Sequence, residues 1–161
     1  MKRKLGICEW SLPVSGATAI EIAAEAGFEG MQIGEAGGRL AAFPLNNQKV
    51  QESYNQAALK YGIKLHSLNL GALLSEGTLN YLPDSSCGRH AIESLTKGFE
   101  ACEKMNIRTV VITADPRNEE QLKNSAAHLR LASRMAEEAG IEIAVESAIP
   151  IEEIYKLLDF S

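Results

Sequence analysis

Residues 138–147, EAGIEIAVES, contain the junction that decides the fold of this protein. A run with helical periodicity ends at Gly140, a residue type that accepts the left-handed backbone conformation which closes a helix. Directly afterwards, Ile141, Ile143 and Val145 alternate with acidic or small residues, which is the period-two pattern of a β-strand. A helix followed at once by a strand is the αβ connection of an α/β protein.

Three earlier stretches repeat this junction. They are AEAGFEG at 24–30, KYGIKL at 60–65 and KMNIRT at 104–109, with the closing residues Gly27, Gly62 and Asn106. The spacing of the closing residues predicts a repeat of about 35 residues, which is one strand plus one helix. Strands are predicted at 4–10, 29–34, 63–70, 107–113 and 141–146, and helices at 16–26, 46–61, 88–105, 117–139 and 150–158.

Two features support these boundaries. Asp84, Ser85 and Ser86 are candidate caps before the third helix, and Pro150 suits the first turn of the last helix. Strands that alternate with helices in this way imply a parallel sheet with right-handed crossovers.

Two architectures accommodate five such units in one domain over residues 1–161. An open doubly wound α/β sheet would be complete at this length, and the pattern alone favours it. A (β/α)₈ barrel needs about 250 residues, so five units would form a partial barrel.

Composition excludes several classes of function. The net charge of −5 disfavours a protein that binds nucleic acid by broad phosphate neutralisation. No stretch is long and apolar enough to span a membrane, and the apolar run after MKRK is too short for a signal peptide. The three cysteines, Cys8, Cys87 and Cys102, lack CxxC spacing, which is typical of reduced thiols in a cytoplasmic protein.

Both architectures bind ligands at the C-terminal ends of their strands. The candidate site residues are therefore the last residue of each strand and the first of the next loop. They are Glu9, Trp10, Gln32, Glu35, His66, Asn69, Thr113, Asp115, Glu146 and Ser147.

Glu146 is the sharpest candidate. Ile143 and Val145 belong on the helix-packing face of the last strand, so Ala144 and Glu146 point to the other face, into a barrel or crevice. A carboxylate buried there must be paired, protonated or bound to a metal, because burying it alone is too costly. The structural alternative is a solvated glutamate, or one paired with Arg or Lys.

The other candidates have equally plain structural interpretations. His66 has the strand parity of Ala144 and is predicted to face inward, either as a ligand or as a satisfied core histidine. Trp10 could stack on a ligand or simply pack. Asp115 is predicted to cap the following helix, and His90 and His128 are predicted to lie on solvent faces of helices. The Gly-rich stretch GEAGGRL at 34–40 lacks the spacing of a phosphate-binding loop.

Five stretches taken together resemble, in order, the first five strands of the xylose isomerase-like TIM-barrel proteins. They are KLGICEWSLP (4–13), AAEAGFEGMQIGEAGG (23–38), YGIKLHSLNLGALL (61–74), ACEKMNIRTVVITA (101–114) and AEEAGIEIAVES (136–147). That family includes sugar-phosphate isomerases and epimerases and the type 2 AP endonucleases. The resemblance implies a partial barrel of about five of the eight units rather than an open sheet.

The resemblance also implies roles. Glu146 matches the acidic residue that ends the fifth strand in the family, a ligand of a divalent metal (Mn²⁺, Mg²⁺, Co²⁺ or Zn²⁺) and an acid/base in the epimerases. His66 lies where some members contact substrate or metal, and Trp10 where members line the sugar pocket. A small carbohydrate is the implied partner. Three histidines and an acidic net charge disfavour the DNA-repair branch.

The chain also departs from the family. The remaining family ligands and the second base come from strands six to eight, which have no counterpart in these 161 residues. We therefore expect an incomplete site in this chain. Three interpretations remain open: a partial isomerase or epimerase, a homo-oligomer assembled through exposed sheet edges, and a non-catalytic binding or assembly module.

Overall fold

The computed structural model describes residues 4–34, 44–71 and 77–159. Its strands are β1 (Gly6–Cys8), β2 (Gly30–Gly34), β3 (Lys64–Asn69), β4 (Thr109–Thr113) and β5 (Glu142–Glu146). Its helices are α1 (Ala17–Glu25), α2 (Gln48–Tyr61), α3 (Ser86–Met105), α4 (Glu119–Ala139) and α5 (Ile151–Asp159). Short 3₁₀ turns occupy Glu9–Ser11, Pro44–Asn46 and Thr78–Asn80.

The strands form one parallel sheet in sequential order, β1-β2-β3-β4-β5. With right-handed crossovers, this order places the connecting helices on a single face of the sheet. A doubly wound sheet instead reverses its strand order at a switch point. The preference from pattern alone for a doubly wound sheet was therefore wrong, and the partial barrel is confirmed.

The predicted helix endings are confirmed. Gly27, Gly62, Asn106 and Gly140 all have the positive φ of the left-handed region. Asn106 is the only non-glycine residue with positive φ among the described residues. Ser85 caps α3 by accepting a hydrogen bond from the backbone N–H of Gly88 at 3.0 Å.

The two faces of the sheet differ in composition. The outer face packs on the helices through side chains that are fully buried: Met31, Ile33, Leu68, Val110 and Ile112. Because side chains alternate along a strand, the residues between them share the opposite, inner face. That face is mostly small or polar: Gly6, Cys8, Gly30, Gln32, Gly34, Ser67, Asn69, Val111, Thr113, Ala144 and Glu146.

The sheet has an irregularity at His66. Met31 of β2 pairs with Leu65, but the next residue, Gln32, pairs with Ser67. His66 is the extra residue in β3, and a bulge of this kind redirects a side chain locally.

None of the described helices is both long enough and apolar enough to cross a membrane. All three cysteines are free thiols.

Candidate functional site

The polar end of the inner face centres on Glu146, the last residue of β5. Glu146 is exposed and pairs in register with Thr113, the last residue of β4. The side-chain amide of Asn69, at the end of β3, donates to Glu146 Oε2 at 3.4 Å. Three neighbouring strands thus place an exposed carboxylate beside an amide and a hydroxyl.

The first strand completes this end of the sheet. The Cys8 thiol donates to the side-chain carbonyl of Gln32 at 3.3 Å. Burial, and then the negative charge of Glu146, raise the pKa of Cys8. The field of the Glu146 carboxylate therefore acts on β1, across the inner face.

A buried carboxylate holds the rim together. Glu9, only 4% exposed, accepts hydrogen bonds from Gly16 N (2.7 Å), Gly34 N (3.2 Å) and the hydroxyl of Tyr54 (2.6 Å). Burial, and then the hydrogen bond to Glu9, raise the pKa of Tyr54. Glu9 therefore ties the end of β1 to the start of α1, the end of β2 and the middle of α2.

Trp10 follows Glu9 on this rim. It lies in the 3₁₀ turn after β1 and is 55% exposed. The indole ring of Trp10 is therefore exposed to solvent just after the end of β1.

Asp115 does not cap the next helix, contrary to the prediction. Asn118 caps α4 by accepting from Gln121 N at 2.9 Å. Asp115 instead accepts from Ala148 N (2.7 Å) and from the Ser147 hydroxyl (3.1 Å), so it braces the loop that leaves Glu146. The prediction failed because Asp115 is one strand away from these partners in space but more than 30 residues away in the chain.

His66 is an exposed residue on the inner face but lies away from Glu146. Its ring lies over two glycines. A Cβ added to Gly6 would lie 3.3 Å from Nε2 of the ring, and a Cβ added to Gly30 would lie 3.2 Å from Cδ2. His66 precedes Asn69 by three residues, roughly 10 Å along a strand. Burial and the charge of Lys64 lower the pKa of His66.

The prediction for His90 is confirmed, since its side chain is exposed, but the prediction for His128 was wrong. His128 is fully buried, and its Nε2 lies 3.0 Å from the carbonyl oxygen of Tyr81. Asn124 and Ser125 of α4 bond to the carbonyls of Asn80 and Leu79 in the same way. The loop before α3 thus covers the face of α4 that carries these three polar residues, although a polar helix face predicts exposure to solvent.

The described residues do not fit a divalent metal by themselves. Within residues 4–34, 44–71 and 77–159, no group of three or more His, Cys, Asp or Glu side chains could hold an ion. At Glu146 the Asn69 amide directs its N–H, not its carbonyl oxygen, toward the carboxylate, and the Cys8 thiol, whose pKa is raised, holds its proton and is a poor metal ligand. Glu35 and most of the stretch GEAGGRL lie outside the described residues.

A family model described as xylose isomerase-like TIM barrel matches residues 20–153. The curated proteins contain no match to the chain. The chain is similar in fold to solved structures of low sequence identity.

Three of these structures illustrate the likeness. D-allulose 3-epimerase from Methylomonas sp. has a TM-score of 0.73 at 19% identity, over 98% of this chain and 58% of that one. The IolI protein, solved with a bound zinc atom, has a TM-score of 0.70 at 18% identity, over 98% and 58%. A sugar phosphate isomerase/epimerase from Parabacteroides distasonis has a TM-score of 0.62 at 17% identity, over 91% and 52%. The chain thus spans a little more than half the length of these three structures.

Proposed function

Because the chain belongs to the xylose isomerase-like TIM barrel family, we propose that its inner face binds a small sugar and that Glu146 moves a proton on that sugar. One observation carries the proposal: the Glu146 carboxylate is exposed on the inner face, at the strand ends where parallel α/β proteins bind ligands. The isomerase and epimerase names of the structural neighbours agree with it.

The reaction that suits one exposed carboxylate is aldose–ketose isomerisation. Glu146 takes the proton from the hydroxyl-bearing carbon beside the carbonyl, and the electron pair of that C–H bond forms an enediol. The hydroxyl on the carbon that lost its C–H proton then gives its own proton to the oxygen of the former carbonyl. Glu146 then returns its proton to the neighbouring carbon, so no atom or electron is gained or lost.

Inversion at a single carbon makes a further demand. A proton that leaves one face of the sugar must be replaced from the opposite face by a second acid. Among the described strand residues, Glu146 is the one acidic side chain at the carboxyl end of the inner face, and the Asp115 carboxylate beyond β4 already bonds to Ser147 and Ala148. We therefore favour isomerisation over epimerisation for these residues.

Neighbouring side chains have supporting roles in this proposal. Asn69 bonds to Oε2, which leaves Oε1 without a protein partner in the described parts of the chain and available to the substrate carbon. The hydroxyl of Thr113 and the amide of Gln32 lie on the same face and can bond to sugar hydroxyls. Trp10 offers an exposed ring at the rim, on which the apolar face of a sugar can stack.

The resemblance to the family also predicted a divalent metal. A metal at Glu146 would need additional ligands from outside the described residues, because those described form no such group. The proton transfer above uses the carboxylate alone.

The same observation favours a second candidate, a non-catalytic sugar-binding module. A polar inner face with one carboxylate is sufficient to bind a polyhydroxylated ligand. The two candidates differ in whether the bound sugar exchanges a carbon-bound proton with water.

The test is deuterium incorporation into aldoses and ketoses, phosphorylated and not, followed by NMR in D₂O with and without Mn²⁺. Glu146→Gln keeps the shape of the side chain and removes the base, so exchange should fall by about 100-fold or more. Glu142→Gln is the matched control, because Glu142 begins the same strand and is also exposed. It should leave the exchange rate unchanged.

Two outcomes would overturn the isomerase proposal. One is the absence of exchange for every sugar under every condition. The other is sugar binding, measured by calorimetry, that Glu146→Gln leaves intact and that no exchange accompanies, which supports the binding module. A parallel Mn²⁺ titration tests the metal, since any binding at this site should be lost in Glu146→Gln.

A further inference from the structure

The loop that carries Trp10 is closed by a single buried carboxylate. Residues 10–16, WSLPVSG, lie between β1 and α1, and we call them the Trp10 loop. Glu9 precedes this loop and Gly16 ends it. The Oε1 atom of Glu9 accepts a hydrogen bond from the backbone N–H of Gly16 at 2.7 Å. The side chain before the loop is therefore bonded to the backbone at the far end of the loop.

Two further donors fix the carboxylate itself. The hydroxyl of Tyr54, in the middle of α2, donates to Oε1 of Glu9 at 2.6 Å. The backbone N–H of Gly34, at the end of β2, donates to Oε2 at 3.2 Å. Tyr54 belongs to the hydrophobic core, with 3% of its surface exposed. Glu9 thus anchors the Trp10 loop to the core of the domain.

The loop makes few other contacts that could hold it in place. Leu12 is half-buried and packs against the core, whereas Trp10, Pro13 and Val14 are exposed. Gly16 has a φ of 73°, and a Cβ added there would meet nothing within 4 Å. A segment with so little buried apolar surface opens easily unless polar contacts hold it. The position of Trp10 therefore depends mainly on the contacts of Glu9.

Glu9 itself does not reach a ligand. It is 4% exposed, and both of its carboxylate oxygens accept hydrogen bonds from the protein. Hydrogen bonds to a charged acceptor are stronger than those between neutral groups. Loss of the acceptor would also leave buried donors unpaired, which is costly. Any effect of Glu9 on a ligand must therefore pass through a neighbour, and the next residue is Trp10.

We propose that Glu9 is a positioning residue, which holds the Trp10 loop in one arrangement so that the indole ring is in place before a sugar binds. The inference rests on the proposed function for the identity of the ligand. A side chain that is ordered in advance loses less entropy on binding, which strengthens the binding. Glu146 lies on another strand and moves the proton. Glu9 should therefore affect the affinity for sugar and not the proton transfer.

The first test observes the ring directly and needs no sugar. Trp10 is the only tryptophan in the sequence, so intrinsic tryptophan fluorescence reports on this loop alone. Glu9→Gln keeps the shape of the side chain but replaces one acceptor oxygen with an amide NH₂ group, which then faces a donor. In time-resolved measurements, a larger share of the Trp10 anisotropy should be lost on the nanosecond scale of loop motion.

Two variants make this measurement specific. Tyr54→Phe keeps the ring and removes one of the three donors to Glu9, so the anisotropy should change in the same direction by a smaller amount. Ser125→Ala is the matched control, because it also removes one buried hydroxyl, which donates to the carbonyl of Leu79 at 3.2 Å. Its Trp10 anisotropy should equal that of the parent chain. Circular dichroism of each variant shows whether the fold is intact.

The second test measures KM and kcat in the deuterium-exchange assay, with each aldose or ketose that the parent chain exchanges. Glu9→Gln should raise KM by about two- to tenfold, the cost of ordering one side chain on binding, and leave kcat unchanged. Ser125→Ala should change neither. In a Trp10→Ala chain, Glu9→Gln should not raise KM further, because no ring remains to be positioned.

Two results would overturn the proposal. Anisotropy that is unchanged in both Glu9→Gln and Tyr54→Phe shows that Glu9 does not hold Trp10, and Tyr54→Phe alone decides this point if Glu9→Gln does not fold. A KM that Glu9→Gln leaves at the parent value shows that the held position does not serve sugar binding. If no sugar exchanges at all, the proposed function fails, whereas the anisotropy still decides whether Glu9 positions the loop.

Discussion

The outer and inner faces of the sheet are built from alternate residues of the same strands, yet they differ in almost every physical property. On β4, Val110 and Ile112 of the outer face are fully buried, whereas Val111 between them is half-buried and Thr113 is polar. Burying one such aliphatic side chain stabilises a protein by about 1.5–3 kcal/mol. The outer face therefore supplies stability, and the inner face is left to carry chemistry.

The contrast changes toward the edge of the sheet. On β5 the outward residues Ile143 and Val145 are only half-buried, and the inner residues Ala144 and Glu146 are exposed. The candidate base thus lies on a strand that contributes no fully buried side chain to the core. This suggests that substitutions at the site and substitutions in the core have separable effects, and four predictions examine that separation.

The largest effect is expected for Ile112→Ala on the outer face. Loss of a fully buried side chain should lower the free energy of unfolding by about 3 kcal/mol, through lost burial and the cavity left behind. Urea denaturation measures it. Val111→Ala, one residue earlier on the inner face, is the control and should cost about 1 kcal/mol. Equal costs for the two variants would contradict the division between faces.

The next effect concerns the rim, where a polar group is buried. Tyr54→Phe removes the hydroxyl that donates to the buried Glu9 carboxylate, and should cost about 1.5–3 kcal/mol. Tyr61→Phe is the control, because its hydroxyl bonds to Glu21 at a partly exposed position and should cost about 0.5 kcal/mol. If denaturation shows the same cost for both, burial does not strengthen the Glu9 contact.

A smaller effect on stability, which appears only at acidic pH, is expected from His128. Burial lowers the pKa of His128 below its ordinary value of 6.5. As the pH falls through 6.5, the unfolded chain binds a proton before the folded chain does, so stability is fully present above that pH and is lost below it. His66 contributes in the same direction, since its pKa is also lowered.

The His128 contribution is separated by comparison of the parent chain with His128→Gln in thermal denaturation between pH 7.5 and 5. The variant should lose less stability than the parent over this range. A pH dependence identical in both chains would show that the burial of His128 does not oppose its protonation.

The smallest effect on stability is expected at the candidate base itself. Glu146→Gln should change the free energy of unfolding by about 0.5 kcal/mol or less, because the carboxylate is exposed and bonded to the protein through Asn69 at 3.4 Å. It should also return the pKa of Cys8 partway to its ordinary value, measured by the pH dependence of thiol alkylation. Asn69→Ala, which removes the amide but keeps the charge, should not produce this shift. A Glu146→Gln chain that unfolds readily would contradict the separation.

Local patterns accounted for the elements of this fold, and distant partners accounted for what the local patterns missed. The endings at Gly27, Gly62, Asn106 and Gly140 were predictable because a left-handed residue is a property of single positions. The buried role of Glu9 was not, since its partner Tyr54 lies 45 residues away in the chain. His128 was misplaced for the same reason: the segment that buries it begins more than 40 residues earlier.

The candidate site divides in the same way. The alternation in IEIAVES was enough to put Glu146 on the face opposite Ile143 and Val145, because the strand period is local. The contact with Asn69, the reach of its charge to Cys8 and the distance from His66 depend on strand order and on the bulge in β3.

The sequence by itself therefore determined the order of the helices and strands, the residues that end four of the helices and, outside the bulged strand β3, which residues of a strand share a face. Only the tertiary structure decided that the strands pair in sequential order, that Glu9 braces the rim and that the Asn69 amide reaches Glu146. The physical reason is that conformational preference and periodicity act within a few residues, whereas pairing and burial depend on segments that the chain brings together only when it folds.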